Sequence, residues 1–356
     1  METTLHNGLE FRVTRFDGGP NFRFDRDPCD WLARSPKPHH DINSKKPFLV
    51  LLHGFLGSGE QFSHLMPELR KTCRPVTVDI LPAKYSETRK GMDAVAWMDM
   101  TARLDTDSLV AGLRETLGRI RAGSSAPLVL LGYSMGGRLA LSLATRHPGE
   151  VDGLILESTT TGITDPDQRN ERRASDLRNA DLIRQDFAMF LEEWDRNSLF
   201  RTGTPAESHP KSHVDLNPNP ESQPDQHPEL QPHPPGTGKA DPKDRSKPDD
   251  RDHPGDRIRR IQRNQDPRIM AKWLEEFGTG VMPPVWEQLE RIRVPVLLIT
   301  GASDPKFCDL ADRMKTQLAD ARHVVIQGAA HRVHLDRPVE YAAALNDFLS
   351  KQIFTG

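Results

Sequence analysis

The sequence predicts an α/β protein built on a mostly parallel, doubly wound sheet with a helical cap, on three observations. Short apolar runs ending in glycine-bearing turns recur along the chain, as "PFLVLLHGF" (47–55), "PLVLLGYS" (127–134) and "VPVLLITGASD" (294–304). Segments of helical character separate them. The alternation breaks after Ser158 and resumes near residue 290.

Each of the three runs is nearly continuous in Leu, Val or Ile instead of alternating, as expected of a parallel strand covered on both faces. Shorter runs, "PVTVDIL" (75–81), "VDGLILES" (151–158) and "HVVIQGAAH" (323–331), add further strands. Helices are expected over 60–70, 108–121, 137–146 and 309–318, so strand and helix alternate as in an open sheet with helices on both faces. Ahead of Pro47, "LEFRVTRF" and "NFRFDR" predict an antiparallel hairpin at the sheet edge. From 165 to 200 the chain is helical and highly charged, and 269–289 continues in that style. Between them, 202–256 holds about a dozen prolines and almost no large apolar side chains. Such a stretch buries too little surface to offset the entropy of ordering it, so a disordered insertion within the cap is expected. The expected organisation is a core over 1–158, a cap over 159–289 and the rest of the core over 290–356.

With 48 Lys and Arg against 51 Asp and Glu, the formal net charge of −3 advertises neither nucleic acid nor an anionic membrane. Cys29, Cys73 and Cys308 are an odd, widely spaced set without CxxC, which suggests neither a disulfide framework nor a zinc site. The histidines of the proline-rich tract (His209, His213, His227, His233, His253) lack a rigid scaffold and read as polar composition, not as metal ligands. The start, "METTLHNGLEFRV", has no apolar h-region, and no apolar run approaches about 20 residues. A cytoplasmic protein is expected, with no membrane span, no metal and no cofactor.

Gly132-Tyr133-Ser134-Met135-Gly136 matches G-x-S-x-G between an expected strand and an expected helix. That context puts the serine on a sharp strand-to-helix turn, where flanking glycines let neighbouring backbone pass close by. A serine hydroxyl reacts only when a histidine takes its proton, and the histidine needs a carboxylate to fix its tautomer. Asp304 follows the strand "VPVLLITG", and His331 follows "VVIQGAA". Asp309 and Asp312 are weaker acids for the role because they fall inside the next helix; His334 is the rival base. An oxyanion hole would use the N–H groups of Met135 and of Phe55, which follows His53-Gly54. Arg138, one helical turn past Ser134, can share its face. Arg169, Arg172 and Arg173 crowd the first turns of a cap helix, and Arg259, Arg260 and Arg263 precede the second cap segment. Arginine pairs bidentately with carboxylate, so the few of these that turn inward would suit a polycarboxylate. A salt bridge or a solvated helix face is the plain alternative for each.

The combination "HGFLGSGEQF", "GYSMGGRLAL", "LESTTTGITDPDQRNERRASD", "FLEEWDRNSLF", "LEEFGTGVMPPVWEQL", "GASDPKF" and "AAHRVHLDRP" resembles the 2-succinyl-6-hydroxy-2,4-cyclohexadiene-1-carboxylate synthases of menaquinone biosynthesis, which have the α/β-hydrolase fold. The resemblance runs from about Phe48 to Phe348 apart from the proline-rich tract. It implies a lyase that eliminates pyruvate from an enolpyruvyl-bearing cyclohexene, with Ser134, His331 and Asp304 as its triad and Ser134 as base. Carried over by position, Arg138 and Arg172 would bind substrate carboxylates, Tyr133 and Trp194 would line the pocket, and a third arginine falls near Arg263. The family's glycine-rich loop is replaced by "DILPAKYS" (79–86), which keeps Asp79 and Ser86 but alters one pocket loop. A carboxylic-ester hydrolase using the same triad through an acyl-enzyme is the second reading. A binding module that recruits partners through its proline-rich tract is the third, and the intact Ser134, Asp304 and His331 argue against it.

Overall fold

Eight strands form one sheet in the computed structural model, which describes residues 2–6, 9–16, 45–82, 105–202 and 254–353. They are β1 (Glu2–His6), β2 (Leu9–Arg15), β3 (Phe48–Leu52), β4 (Arg74–Pro82), β5 (Leu128–Tyr133), β6 (Gly153–Glu157), β7 (Val296–Gly301) and β8 (Ala321–Ile326). Their order across the sheet is β1-β2-β4-β3-β5-β6-β7-β8, with β4 through β8 parallel. The two-residue period sends Phe48, Val50 and Leu52 to one apolar layer and Leu49 and Leu51 to the other, so both faces of β3 are buried. An edge hairpin is present, but its strands are β1 and β2, with Thr4 opposite Phe11. The expected partner "NFRFDR" (21–26) lies outside the described residues.

The helices are α1 (Met66–Leu69), α2 (Thr106–Arg121), α3 (Met135–Arg146), α4 (Pro166–Gln185), α5 (Phe187–Asp195), α6 (Pro254–Arg263), α7 (Pro267–Phe277), α8 (Pro305–Gln317), α9 (Val333–Asp336) and α10 (Pro338–Phe348). The helix expected over 60–70 is a 3₁₀ turn, Gly59–Leu65, followed by the single turn α1. Pro67 lacks the N–H that a continuous α-ladder would need there. α8 begins earlier than expected because Asp304 caps it and Pro305 opens it. Helices α4 to α7 form the cap between β6 and β7, with α4 packed on α7. The disordered insertion expected at 202–256, including His209, His213, His227, His233 and His253, lies from 203 to 253 outside the described residues, as do Cys29 and Ser86. No described helix is long and apolar enough to cross a membrane.

All the parallel strands end on one edge of the sheet, and a buried polar cluster fastens their loops beneath it. Glu157, at the end of β6 and fully buried, accepts from the His334 backbone N–H (3.0 Å) and Nδ1–H (2.7 Å), and from the Tyr341 hydroxyl (2.8 Å). The Gln61 side-chain amide donates to His334 Nε2 (3.1 Å). His64 Nε2–H donates to the His334 carbonyl (2.7 Å), which leaves His64 Nδ1 covered and without a partner among the described residues. Protonating that nitrogen would bury a charge, a cost that the Gln61 and His334 carbonyls offset only in part.

Burial accordingly lowers His64 to about pH 4 from its ordinary 6.5. The unfolded chain then binds a proton that the folded chain refuses, so stability falls as pH drops from about 6.5 toward 4. The expected loss from this group is on the order of 2 kcal/mol, read from denaturant unfolding at pH 7 and pH 4.5. His64→Gln, which keeps the bond to the His334 carbonyl, should flatten that slope; an unchanged slope would show that another group sets it.

Candidate active site

Ser134 stands between β5 and α3 with φ +50° and ψ −109°, a conformation that costs an L-residue about 1–3 kcal/mol. Three hydrogen bonds hold it there. Its N–H donates to the Glu157 carbonyl (2.9 Å), and its carbonyl accepts from Thr159 Oγ1 (2.7 Å) and from the Arg138 N–H (3.1 Å). The glycines are needed for close approach. A Cβ on Gly132 would sit 2.5 Å from the Gly136 carbonyl oxygen, and one on Gly136 would sit 2.5 Å from that of Leu52.

The turn exposes Ser134 Oγ at 3.2 Å from His331 Nε2. His331 Nδ1–H donates to Asp304 Oδ2 (2.8 Å), which leaves Nε2 as the acceptor for the serine proton. Asp304 and His331 are nearly inaccessible, at 2 % and 3 % exposure, so their contact is shielded from bulk water. The other acids considered lie elsewhere: Asp312 binds His323 Nδ1 on the outer side of α8, and Asp309 stands at the cavity rim. The rival base His334 has both ring nitrogens committed to Glu157 and Gln61.

Above the serine lies a cavity of about 780 Å³, the size of a small-molecule site, lined among others by Phe55, Tyr133, Met135, Arg138, Arg172 and Trp194. The Met135 N–H opens α3, where no intrahelical carbonyl can receive it. Phe55 follows Gly54 and packs edge-on against Trp194 (5.4 Å). Burial and the nearby Arg172 charge lower Arg138 to about 10, with Asp176 opposing them, so it remains a cation at neutral pH. Arg172 is held by Asp176 four residues on (Nε to Oδ1, 2.9 Å). Three covered polar atoms around the cavity have no partner among the described residues: Arg138 Nη1, Trp194 Nε1 and Ser158 Oγ.

The remaining arginines do other work. Arg169 donates to the carbonyls of Gly280 (3.1 Å) and Val281 (2.8 Å), tying α4 to the loop after α7. Arg173 is exposed, Arg259 pairs with Asp256 (3.3 Å), and Arg260 pairs with Glu60. Arg263, expected to bind substrate, is exposed at the end of α6 and does not line the cavity. The face of α6 that does so carries Ile258 and Gln262, four residues apart, and Arg263 is turned about 100° from Gln262. Sequence reasoning also missed Ser158 (φ +45°), which with Leu56 and Ser134 is one of three described non-glycine residues at positive φ, and Arg332. Only the neighbouring His331 could have signalled the latter.

A family model described as the alpha/beta hydrolase fold matches residues 47–338. A Bacillus subtilis (strain 168) protein provisionally named 2-succinyl-6-hydroxy-2,4-cyclohexadiene-1-carboxylate synthase is 29 % identical over 303 residues, 85 % of this chain and 90 % of that protein. A Pectobacterium atrosepticum protein named as the same synthase is 25 % identical over 317 residues, covering 88 % and 98 %. Among solved structures, MenH from S. aureus superposes with a TM-score of 0.65 at 24 % identity, over 88 % of this chain and 97 % of that one.

The turn at Ser134 can be tested directly. Gly136→Ala forces a methyl group against the Leu52 and His53 carbonyls (2.5 and 2.7 Å), which no rotamer relieves. A stability loss of about 1–3 kcal/mol is expected in denaturant unfolding, together with slower labelling of Ser134 by a fluorophosphonate. Wild-type stability and labelling rate in that variant would mean the approach is not tight.

Proposed function

The chain belongs to the alpha/beta hydrolase fold family, and on that premise we propose that it catalyses the 2-succinyl-6-hydroxy-2,4-cyclohexadiene-1-carboxylate synthase reaction of menaquinone biosynthesis. The reaction eliminates pyruvate from 2-succinyl-5-enolpyruvyl-6-hydroxy-3-cyclohexene-1-carboxylate. It runs in the cytoplasm and requires neither cofactor nor metal. One observation carries the reading: Arg138, Trp194 and Ser158 line one cavity, and each has a covered polar atom without a partner among the described residues. The Arg138 guanidinium stays cationic at neutral pH on a part-exposed side chain that lines the cavity, and a substrate carboxylate would pair with it. Two arginines facing one cavity, Arg138 and Arg172, with Asp176 as counter-charge to one of them, suit a molecule bearing several carboxylates. A neutral ester would bring no charge to meet Arg138.

In this mechanism His331 Nε2 takes the Ser134 proton while Asp304 steadies the imidazolium that forms. The serine oxygen removes a proton from a ring carbon. With that carbon at ring position 2, its C–H pair becomes the C2=C3 bond, the C3=C4 pair shifts to C4=C5, and the C5–O pair leaves with the enolpyruvyl group as the enolate of pyruvate. That enolate takes back a proton relayed through His331, so the enzyme ends as it began. Arg138 and Arg172 hold the carboxylates, and the Phe55 and Met135 N–H groups face the negative charge that develops. No acyl-enzyme forms.

Pyruvate release from the enolpyruvyl substrate, followed with a coupled dehydrogenase, tests the proposal. Ser134→Ala should lower kcat by at least about 10³-fold. Arg138→Ala should lower kcat/KM by about 10²-fold, through lost orientation and lost charge pairing. Efficient turnover of p-nitrophenyl esters without pyruvate release would instead favour an acyl hydrolase.

A further inference from the structure

The two N–H groups that the mechanism assigns to the developing charge are held in different ways. That of Met135 belongs to the first turn of α3 and is fixed with the helix. That of Phe55 belongs to a loop between β3 and the 3₁₀ turn Gly59–Leu65. Within this loop the Gly57 N–H donates to the Gly54 carbonyl (3.1 Å), which closes a four-residue turn with Phe55 and Leu56 at its centre. Leu56 has φ +60°, a left-handed value that falls to glycine or asparagine at the third place of a turn. A leucine there is held against its own preference.

The cap supplies part of the hold. Gln265, in the loop between α6 and α7, donates from its side-chain amide to the Gly57 carbonyl (3.2 Å). Arg260 of α6 meets Glu60, three residues after Gly57. Phe55 itself packs against Phe190 and Trp194 of α5, with ring centroids 6.5 and 5.4 Å away. From the core, Asp79 of β4 accepts the Gly59 N–H (2.5 Å). Gly57 is buried, and a buried carbonyl deprived of its donor favours any rearrangement that pairs it again. The strained turn just before it is the nearest part of the chain able to yield. Gln265 does not line the cavity, so its bond to Gly57 is its route to the chemistry.

We propose that Gln265 is a positioning residue that acts through the Gly57 carbonyl, holding the Gly54–Gly57 turn in the form that presents the Phe55 N–H to the developing negative charge. The cap then sets one donor of the oxyanion hole as well as the substrate contacts. The inference rests on the role given above to Phe55 and, for its steady-state readout, on the pyruvate-releasing reaction.

Gln265→Glu keeps the shape of the side chain and removes its donor; Gln265→Met removes the donor without adding a charge. Either should lower kcat for pyruvate release by about 10-fold, less than the roughly 10²–10³-fold lost with an oxyanion donor outright, and leave KM within about 2-fold. A cap merely loosened would raise KM instead, because Arg172 and Trp194 of the cap line the cavity. A raised KM with unchanged kcat therefore overturns the proposal. Two readouts need no substrate. Labelling of Ser134 by a fluorophosphonate, whose phosphoryl oxygen enters the same hole, should slow by about 10-fold. Amide hydrogen exchange, read by mass spectrometry, should quicken over residues 53–60 and stay unchanged over β5 and α3. Wild-type labelling or wild-type exchange over 53–60 in both variants would also overturn it. If the wild type releases no pyruvate, the lyase reading falls, and labelling together with exchange decides the role of Gln265.

Discussion

The site depends on one backbone conformation, that of Ser134. At φ +50° the chain reverses from β5 into α3 within a single residue, and this projects the hydroxyl beyond the sheet edge. The conformation is unfavourable by itself. It persists because three hydrogen bonds, from β6, Thr159 and the first turn of α3, over-determine it, and because Gly132 and Gly136 let neighbouring chain approach to distances no side chain would allow. β6 has a double part in this. The Glu157 carbonyl receives the Ser134 N–H, and the Glu157 carboxylate gathers His334 and Tyr341 from the C-terminal part of the chain. The serine and the loop that brings its histidine therefore share one anchor.

Charge in the cavity is arranged on a different principle from charge on the surface. Outside, arginines meet acids, as Arg114 meets Glu150 and Arg184 meets Glu275, pairs that contribute little because water screens them. Inside, Arg138 has a covered N–H without a partner among the described residues, and Arg172 is near enough to lower its proton affinity. An apolar side chain at position 138 would avoid the cost of desolvating a cation that only Asp176 offsets. Retaining the cation makes sense where something anionic completes it.

The parallel strands were legible because continuous Leu, Val and Ile runs have few other uses in a chain this polar, and the G-x-S-x-G turn was legible because its glycines serve contacts within a few residues. Errors arose where long-range geometry decides. The β1–β2 hairpin involves "ETTLH", whose mixed composition resembles a loop more than "NFRFDR" does. Arg263 was placed by register across the proline-rich tract, although the helical period sets Ile258 and Gln262, not Arg263, toward the cavity. The Glu157–His334–Tyr341 cluster joins residues some 180 positions apart, and no local pattern marks such a meeting.

Two histidines, each bonded to a carboxylate, lie back to back across the Tyr133 ring, with centroid distances of 5.6 Å to His331 and 4.8 Å to His334. Only one of them can move a proton for the serine, and the difference is in the second nitrogen. His334 has Nε2 against the Gln61 amide and is fully buried, so both of its positions are spent on structure. His331 has Nε2 turned to Ser134 Oγ, which faces the cavity in the mechanism proposed above. The same pairing of residue types thus gives a strut in one place and a relay in the other. What separates the roles is whether the free nitrogen meets an amide of the protein or a hydroxyl that faces the ligand.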